Sequence, residues 1–117
     1  MEEKIQPQDL DAEQSVLGSI MLSKDAIALL IGRLKPEYFY RHAHSVIFNA
    51  ILTLYKRNEP VDLVTVSDEL KKTESLDEVG GRIFLAEVLD TVPTAANAEK
   101  YADIVFEKAI LRSKIEF

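Results

Sequence analysis

Apolar residues recur along this chain at intervals of three and four, the spacing that gathers side chains on one face of an α-helix. Ala12, Val16, Leu17, Ile20 and Met21 make the first such face. Asp9 stands before it as a cap, and Asp11 and Glu13 occupy the first turn, where the helix dipole favours carboxylates. Gly18 in that helix costs roughly 1 kcal/mol relative to Ala, and close approach of a neighbouring helix would offset it. Ser23 caps a second segment with Ile27, Leu30, Ile31 and Leu34 inward, ended by Pro36 because the residue before a proline avoids the helical region. Pro36 to Tyr40 reads as a turn with aromatic anchors. From about Arg41 to Lys56 a longer amphipathic helix carries Ala43, Ile47, Phe48, Ile51, Leu52 and Leu54. Asp62 then caps a helix with Leu63, Val66 and Leu70. The pair Gly80-Gly81 breaks the chain before a short helix with Phe84, Leu85, Val88 and Leu89. After the Val92-Pro93 break, a last helix is predicted from Thr94 to Phe117 with no stop signal.

The expectation is an all-α fold, a bundle of about six helices with a long C-terminal helix. Its organisation is an extended lead-in over 1–8, a globular unit over 9–93 and a helix over 94–117. At ~1.5 Å per residue that last helix is a rod about 36 Å long. Its final residues, Ile115-Glu116-Phe117, include no Gly, Pro or capping residue. This points to a helix that continues in a longer parent, against the plainer alternative of a frayed natural end.

The last helix also carries more apolar surface than docking on one core requires. Tyr101, Val105 and Ala109 form one stripe, Ile104, Leu111 and Ile115 a second, and Phe106, Ile110 and Phe117 a third. Either a partner or further parent chain covers the excess, or the helix is central to its own bundle.

Composition narrows the function classes. The 117 residues contain 14 Lys and Arg against 20 Asp and Glu, a net charge of −6, which argues against nucleic-acid binding by this chain itself. The absence of cysteine excludes disulfides, thiol catalysis and thiolate metal sites and fits a reducing, cytoplasmic setting. No apolar run reaches the ~20 residues of a membrane span. Residues 33–58 sum to +4 and residues 59–98 to −6. Opposed regions suit protein docking or self-association; the plain alternative is helices that merely alternate in charge.

Catalytic chemistry is nearly missing. His42 and His44 lie two apart on a helix, point to different sides and cannot share a metal. His44 is expected to be packed and hydrogen-bonded, His42 solvated, and the dispersed carboxylates to cover solvated faces. Gly80-Gly81 lacks the Lys-Ser or Lys-Thr of a phosphate loop and reads as a tight turn. No catalytic, cofactor-binding or metal-binding residue is assigned.

Several phrases in order carry a resemblance. They are Pro7-Gln8-Asp9-Leu10-Asp11-Ala12-Glu13-Gln14-Ser15-Val16-Leu17-Gly18, Phe39-Tyr40, His44 with Ile47-Phe48, and Pro60-Val61-Asp62-Leu63-Val64-Thr65-Val66. Val79-Gly80-Gly81, Val92-Pro93-Thr94-Ala95-Ala96-Asn97, Tyr101-Ala102-Asp103-Ile104-Val105 and Glu107-Lys108-Ala109 complete the set. Together they resemble the N-terminal domain of the bacterial DnaB-type replicative DNA helicase, from about Pro7 to Arg112.

The resemblance implies a non-catalytic assembly and recruitment domain for DNA replication and the primosome. The parent would be a hexameric helicase whose ATP-binding, magnesium-dependent hydrolase motor lies C-terminal to this chain. The implied partners are a second copy, in a trimer of dimers, the C-terminal domain of primase, and a helicase loader. The last helix would begin a helical hairpin. Ile104, Phe106, Ile110, Leu111 and Ile115 are expected to serve self-association or hairpin packing, and Asp11, Phe84 and Ile115 to contact primase; for Phe84 a core anchor is the equal alternative. Two residues depart from the family pattern: Phe84 stands where Tyr is frequent, and Phe106 where a polar residue is usual. The Phe106 ring is expected either to alter the partner face or to be buried against the first helix. A stand-alone helical adaptor that regulates a helicase is the rival reading, with a helix-turn-helix DNA binder built on Asp62–Lys72 a further one.

Overall fold

A computed structural model describes residues 6–115. In chain order these form α1 (Leu10–Leu22), α2 (Lys24–Leu30), a 3-10 turn (Pro36–Tyr38), α3 (His42–Lys56), α4 (Leu63–Lys72), α5 (Leu76–Val79), α6 (Gly81–Asp90) and α7 (Ala98–Ile115). No strand occurs among the described residues. The all-α expectation holds, with α5 as an additional single-turn helix.

Three of the predicted caps form. Asp9 Oδ1 accepts from the Ala12 amide at 2.9 Å, and Ser23 Oγ from Asp25 and Ala26 at 3.2 and 3.4 Å. Asp62 and Thr65 form a reciprocal capping box at the start of α4. The stops are less faithful. α2 ends at Leu30, short of Pro36, in a turn closed by Arg33 N–H on the Leu30 carbonyl, next to the permissive Gly32. α7 begins at Ala98, not Thr94. The Thr94 hydroxyl accepts from the Ala96 amide at 3.3 Å, a local turn that competes with the helix.

α1 is the hub, touching α2, α3, α6 and α7. From Ala12 to Met21 only Gln14 interrupts a buried run, so the helix is enclosed on most sides and not on one face alone. Gly18 makes this possible. A Cβ there would lie 2.6 Å from the Val88 carbonyl oxygen and 3.0 Å from Val92 Cγ2, so α6 rests on bare backbone. The wider core joins Val16, Leu17 and Ile20 to Leu30, Phe39, Ile47, Phe48, Ile51, Val66, Leu70 and Leu85. Phe39 and Phe48 pack with ring centroids 5.0 Å apart.

Two carboxylates expected in solvent are buried instead. Glu13 is 1% exposed. Its Oε2 accepts from the Tyr40 amide at 2.6 Å, and its Oε1 accepts from the Arg41 amide at 3.3 Å and faces His44 Nδ1 at 2.8 Å. Arg41 is the N-cap position of α3 and offers no side-chain cap of its own. Glu13 therefore satisfies the start of α3 from another helix, where unpaired amides and the dipole favour a negative charge. His44, buried and hydrogen-bonded as expected, sets Nδ1 against Glu13, while Nε2 has no hydrogen-bond partner among the described residues. Glu69, 5% exposed, accepts from Arg57 Nη1 at 2.9 Å and ties α4 to the turn after α3.

Three outcomes follow for urea unfolding. Gly18→Ala is expected to destabilise the fold by about 1–3 kcal/mol through overpacking against Val88. Gly32→Ala, with open space around its Cβ, should lose under about 0.5 kcal/mol. Glu13→Gln should cost about 3 kcal/mol, because one amide oxygen replaces a carboxylate that serves three donors; an unchanged midpoint would contradict the clasp.

Candidate protein-interaction surface

α7 docks by one stripe. Ala98, Ala102 and Val105 are buried against α1 and α2, with Tyr101 and Ile104 half-buried beside them. The helix is therefore not central to its bundle. Residues of the other two stripes are left partly open to solvent: Phe106 is 42% and Ile110 38% exposed on one, and Leu111 40% on the other.

Phe106 is not buried against α1. Its ring meets Tyr38 edge-on, centroids 5.5 Å apart and planes inclined by 64°. With Arg33, Leu34 and Ala102 it lines a shallow groove of about 270 Å³. Arg33 bridges α2 to α7 through Glu99 at 3.1 Å and through Asp103. All three side chains are substantially exposed, so each pair contributes well under about 1 kcal/mol.

The other proposed contact residues lie apart from this stripe. Asp11 is exposed on the first turn of α1 and makes no ion pair among the described residues. Phe84 is half-buried on α6. His44 stacks against its ring (6.1 Å between centroids), and the Arg41 guanidinium lies 5.1 Å from its centroid. Gly80, at φ +112°, sits so close that a Cβ would lie 2.9 Å from Phe84 Cβ. Phe84 thus packs in part against the start of α3, at His44 and Arg41. Ile83, next to it, is the most exposed large apolar residue among the described ones at 77%, and the sequence reading passed over it. The side chain of Ile115 and all of Phe117 lie outside the described residues.

The charge pattern along the chain is partly neutralised in space. Arg33 pairs with Glu99 and Asp103 of α7, and Arg57 with Glu69 and Glu59. The exposed His42 hydrogen-bonds to Glu78 at 2.8 Å. Part of the positive stretch is therefore neutralised within the molecule, which weakens the case for charge-driven docking. Among the described residues there is no group of three or more His, Cys, Asp or Glu side chains placed to hold a metal, and no helix long and apolar enough to cross a membrane.

The family model for the DnaB-like helicase N terminal domain matches residues 5–107. The chain belongs to the DnaB-like helicase N-terminal domain family. It is 56% identical over 110 residues to the replicative DNA helicase DnaB of Mycobacterium leprae, covering 94% of this chain and 18% of that protein. It is 50% identical over 115 residues to the replicative DNA helicase DnaC of Bacillus subtilis, covering 98% of this chain and 25% of that protein. The crystal structure of the N-terminal domain of DnaB helicase from Mycobacterium tuberculosis superposes with a TM-score of 0.92 at 55% identity, covering 95% of this chain and 77% of that one. A DnaB-like replicative helicase, described with its interactions with primase, superposes at 0.81 with 27% identity, covering 92% of this chain and 25% of that chain. The chain thus spans about a fifth to a quarter of the length of these full helicases.

As a DnaB-like N-terminal domain, the chain keeps its core and its exposed stripe separable even between adjacent residues. Val105→Asp should destabilise by about 4 kcal/mol or more, since it buries an unpaired charge. Phe106→Asp should change stability by about 1 kcal/mol. Equal losses in urea unfolding would show that Phe106 belongs to the core.

Proposed function

We propose that this chain is the assembly and primase-recruitment domain of a hexameric, ATP-dependent replicative DNA helicase. The observation that carries the reading is the apolar stripe Phe106, Ile110 and Leu111 on the helix of a DnaB-like N-terminal domain, left uncovered by the domain's own core. Phe106 and Ile110, four apart on one helix face, suit packing against another helix, and Leu111 extends the apolar surface around the helix. In the intact protein this stripe, with Ile104 and Ile115, contacts a second copy and the following hairpin, and three such pairs build a collar.

The primase contact is a separate surface. The reading is supported by the solved relative described with primase, which shares this fold. Asp11 and Ile115 remain its proposed contacts. Phe84 contributes through the part of its ring that His44 and Arg41 leave open, and Ile83 is added as an apolar contact beside it. A helicase loader is a further proposed partner.

Catalysis, with ATP and magnesium, is assigned to a motor domain elsewhere in the parent. The net charge of −6 supports a protein-binding role in the cytoplasm with no direct hold on DNA.

Calorimetric titration of the full gene product with the C-terminal domain of its cognate primase tests recruitment. Saturable binding is expected, and Asp11→Lys should weaken it by about tenfold, equivalent to ~1.4 kcal/mol, without changing the fold. No binding at any concentration would contradict the recruitment role.

A further inference from the structure

We propose that Arg112 is a positioning residue that fixes the direction in which α7 presents Phe106, Ile110 and Leu111, and so couples partner docking to the lead-in at Pro7. The proposal rests on the reading of that stripe as a self-association surface.

The last turns of α7 have little else to hold them. Among the side chains of α7 that are described, Val105 is the last to be buried, and Lys108, Ala109 and Arg112 are only half-covered. Arg112 reaches back across the molecule. Its Nη1 donates to the Pro7 carbonyl at 2.9 Å and its Nη2 to the Tyr38 carbonyl at 2.7 Å. Its guanidinium lies 5.5 Å from the centroid of the Tyr40 ring. Charged donors to neutral carbonyls are among the stronger hydrogen bonds, and a planar fork can serve two acceptors in fixed relative positions.

The two carbonyls belong to segments far apart in sequence, 105 and 74 residues from Arg112. Tyr38 is gripped twice from α7: its carbonyl by Arg112 and its ring edge by Phe106. Two attachments on one short 3-10 turn constrain both the tilt and the rotation of the helix. The third attachment, at Pro7, makes the lead-in part of the same brace. Residues that need not touch a partner thereby set how the exposed stripe is aimed. Lysine cannot reproduce this, because its single nitrogen has no planar fork.

The test compares Arg112→Gln, Arg112→Lys and Phe106→Asp in the 117-residue chain by sedimentation equilibrium and amide hydrogen exchange. Arg112→Gln should weaken self-association by about tenfold. It should speed exchange at residues 107–114 while leaving the amides of α1 and α3 protected. Arg112→Lys should fall between wild type and Arg112→Gln in both measurements. Wild-type association and exchange in Arg112→Gln, with association lost in Phe106→Asp, would overturn the role of Arg112 while leaving the stripe intact. If the wild-type chain stays monomeric at millimolar concentration, or neither Arg112→Gln nor Phe106→Asp changes its association, the reading of the stripe fails and this proposal falls with it.

Discussion

A single buried carboxylate organises this domain. Glu13 projects from the central helix α1 into the start of α3, where it meets two main-chain amides and the His44 ring. A charge in that position is costly to desolvate, and it persists because each of its oxygens is matched by a donor. The consequence is geometric. Glu13 holds the start of α3 beside α1, and the 3-10 turn and the aromatic pair Phe39 and Tyr40 lie just before that point. Phe84 of α6 stacks on the His44 ring. Gly18, further along α1, then admits the backbone of α6 at a distance that a methyl group would forbid.

This internal economy leaves the outward faces free. Ala98, Ala102 and Val105 are enough to seat α7, and the small size of the first two brings the helix close to α1 and α2. The apolar residues that follow are only partly covered, Phe106 by the edge of Tyr38. On the reading proposed above, this partly covered surface and the groove lined by Phe106 and Leu34 receive another chain. The brace at Arg112 connects that surface to the opposite end of the sequence. The molecule thus separates the residues that make it fold from those that make it useful, with Tyr38 standing at the boundary between them.

Much of this was legible in the amino-acid pattern. The periodic apolar positions of α1, α3 and α4 and the caps at Asp9, Ser23 and Asp62 are local signals, and they form as expected. The small residue at Gly18 announced a close helix contact, and the structure supplies Val88. The surplus apolar stripe of α7 was also visible, since periodicity reveals a face even when its partner is missing. What escaped was set by distance along the chain. Nothing near Glu13 distinguishes a dipole-favoured surface carboxylate from one that caps a helix 27 residues away. No local signal sets Arg112 apart from the other basic residues of α7, because its acceptors lie at Pro7 and Tyr38. Phe84 was ambiguous for the same reason: only the fold brings His44 and Arg41 to its ring. The false start at Thr94 reflects local competition, in which a hydroxyl held the Ala96 amide in a turn.

The account stands or falls on whether the α7 stripe meets a second copy. The chain contains no cysteine, so Ile110→Cys and Lys72→Cys each introduce a single thiol into it. Bifunctional maleimide cross-linking of each variant, at matched protein concentration, measures which surface lies against its counterpart. Efficient interchain cross-linking through position 110, with little through position 72, is the predicted result. Equal or absent cross-linking at the two positions would contradict the assembly role of α7.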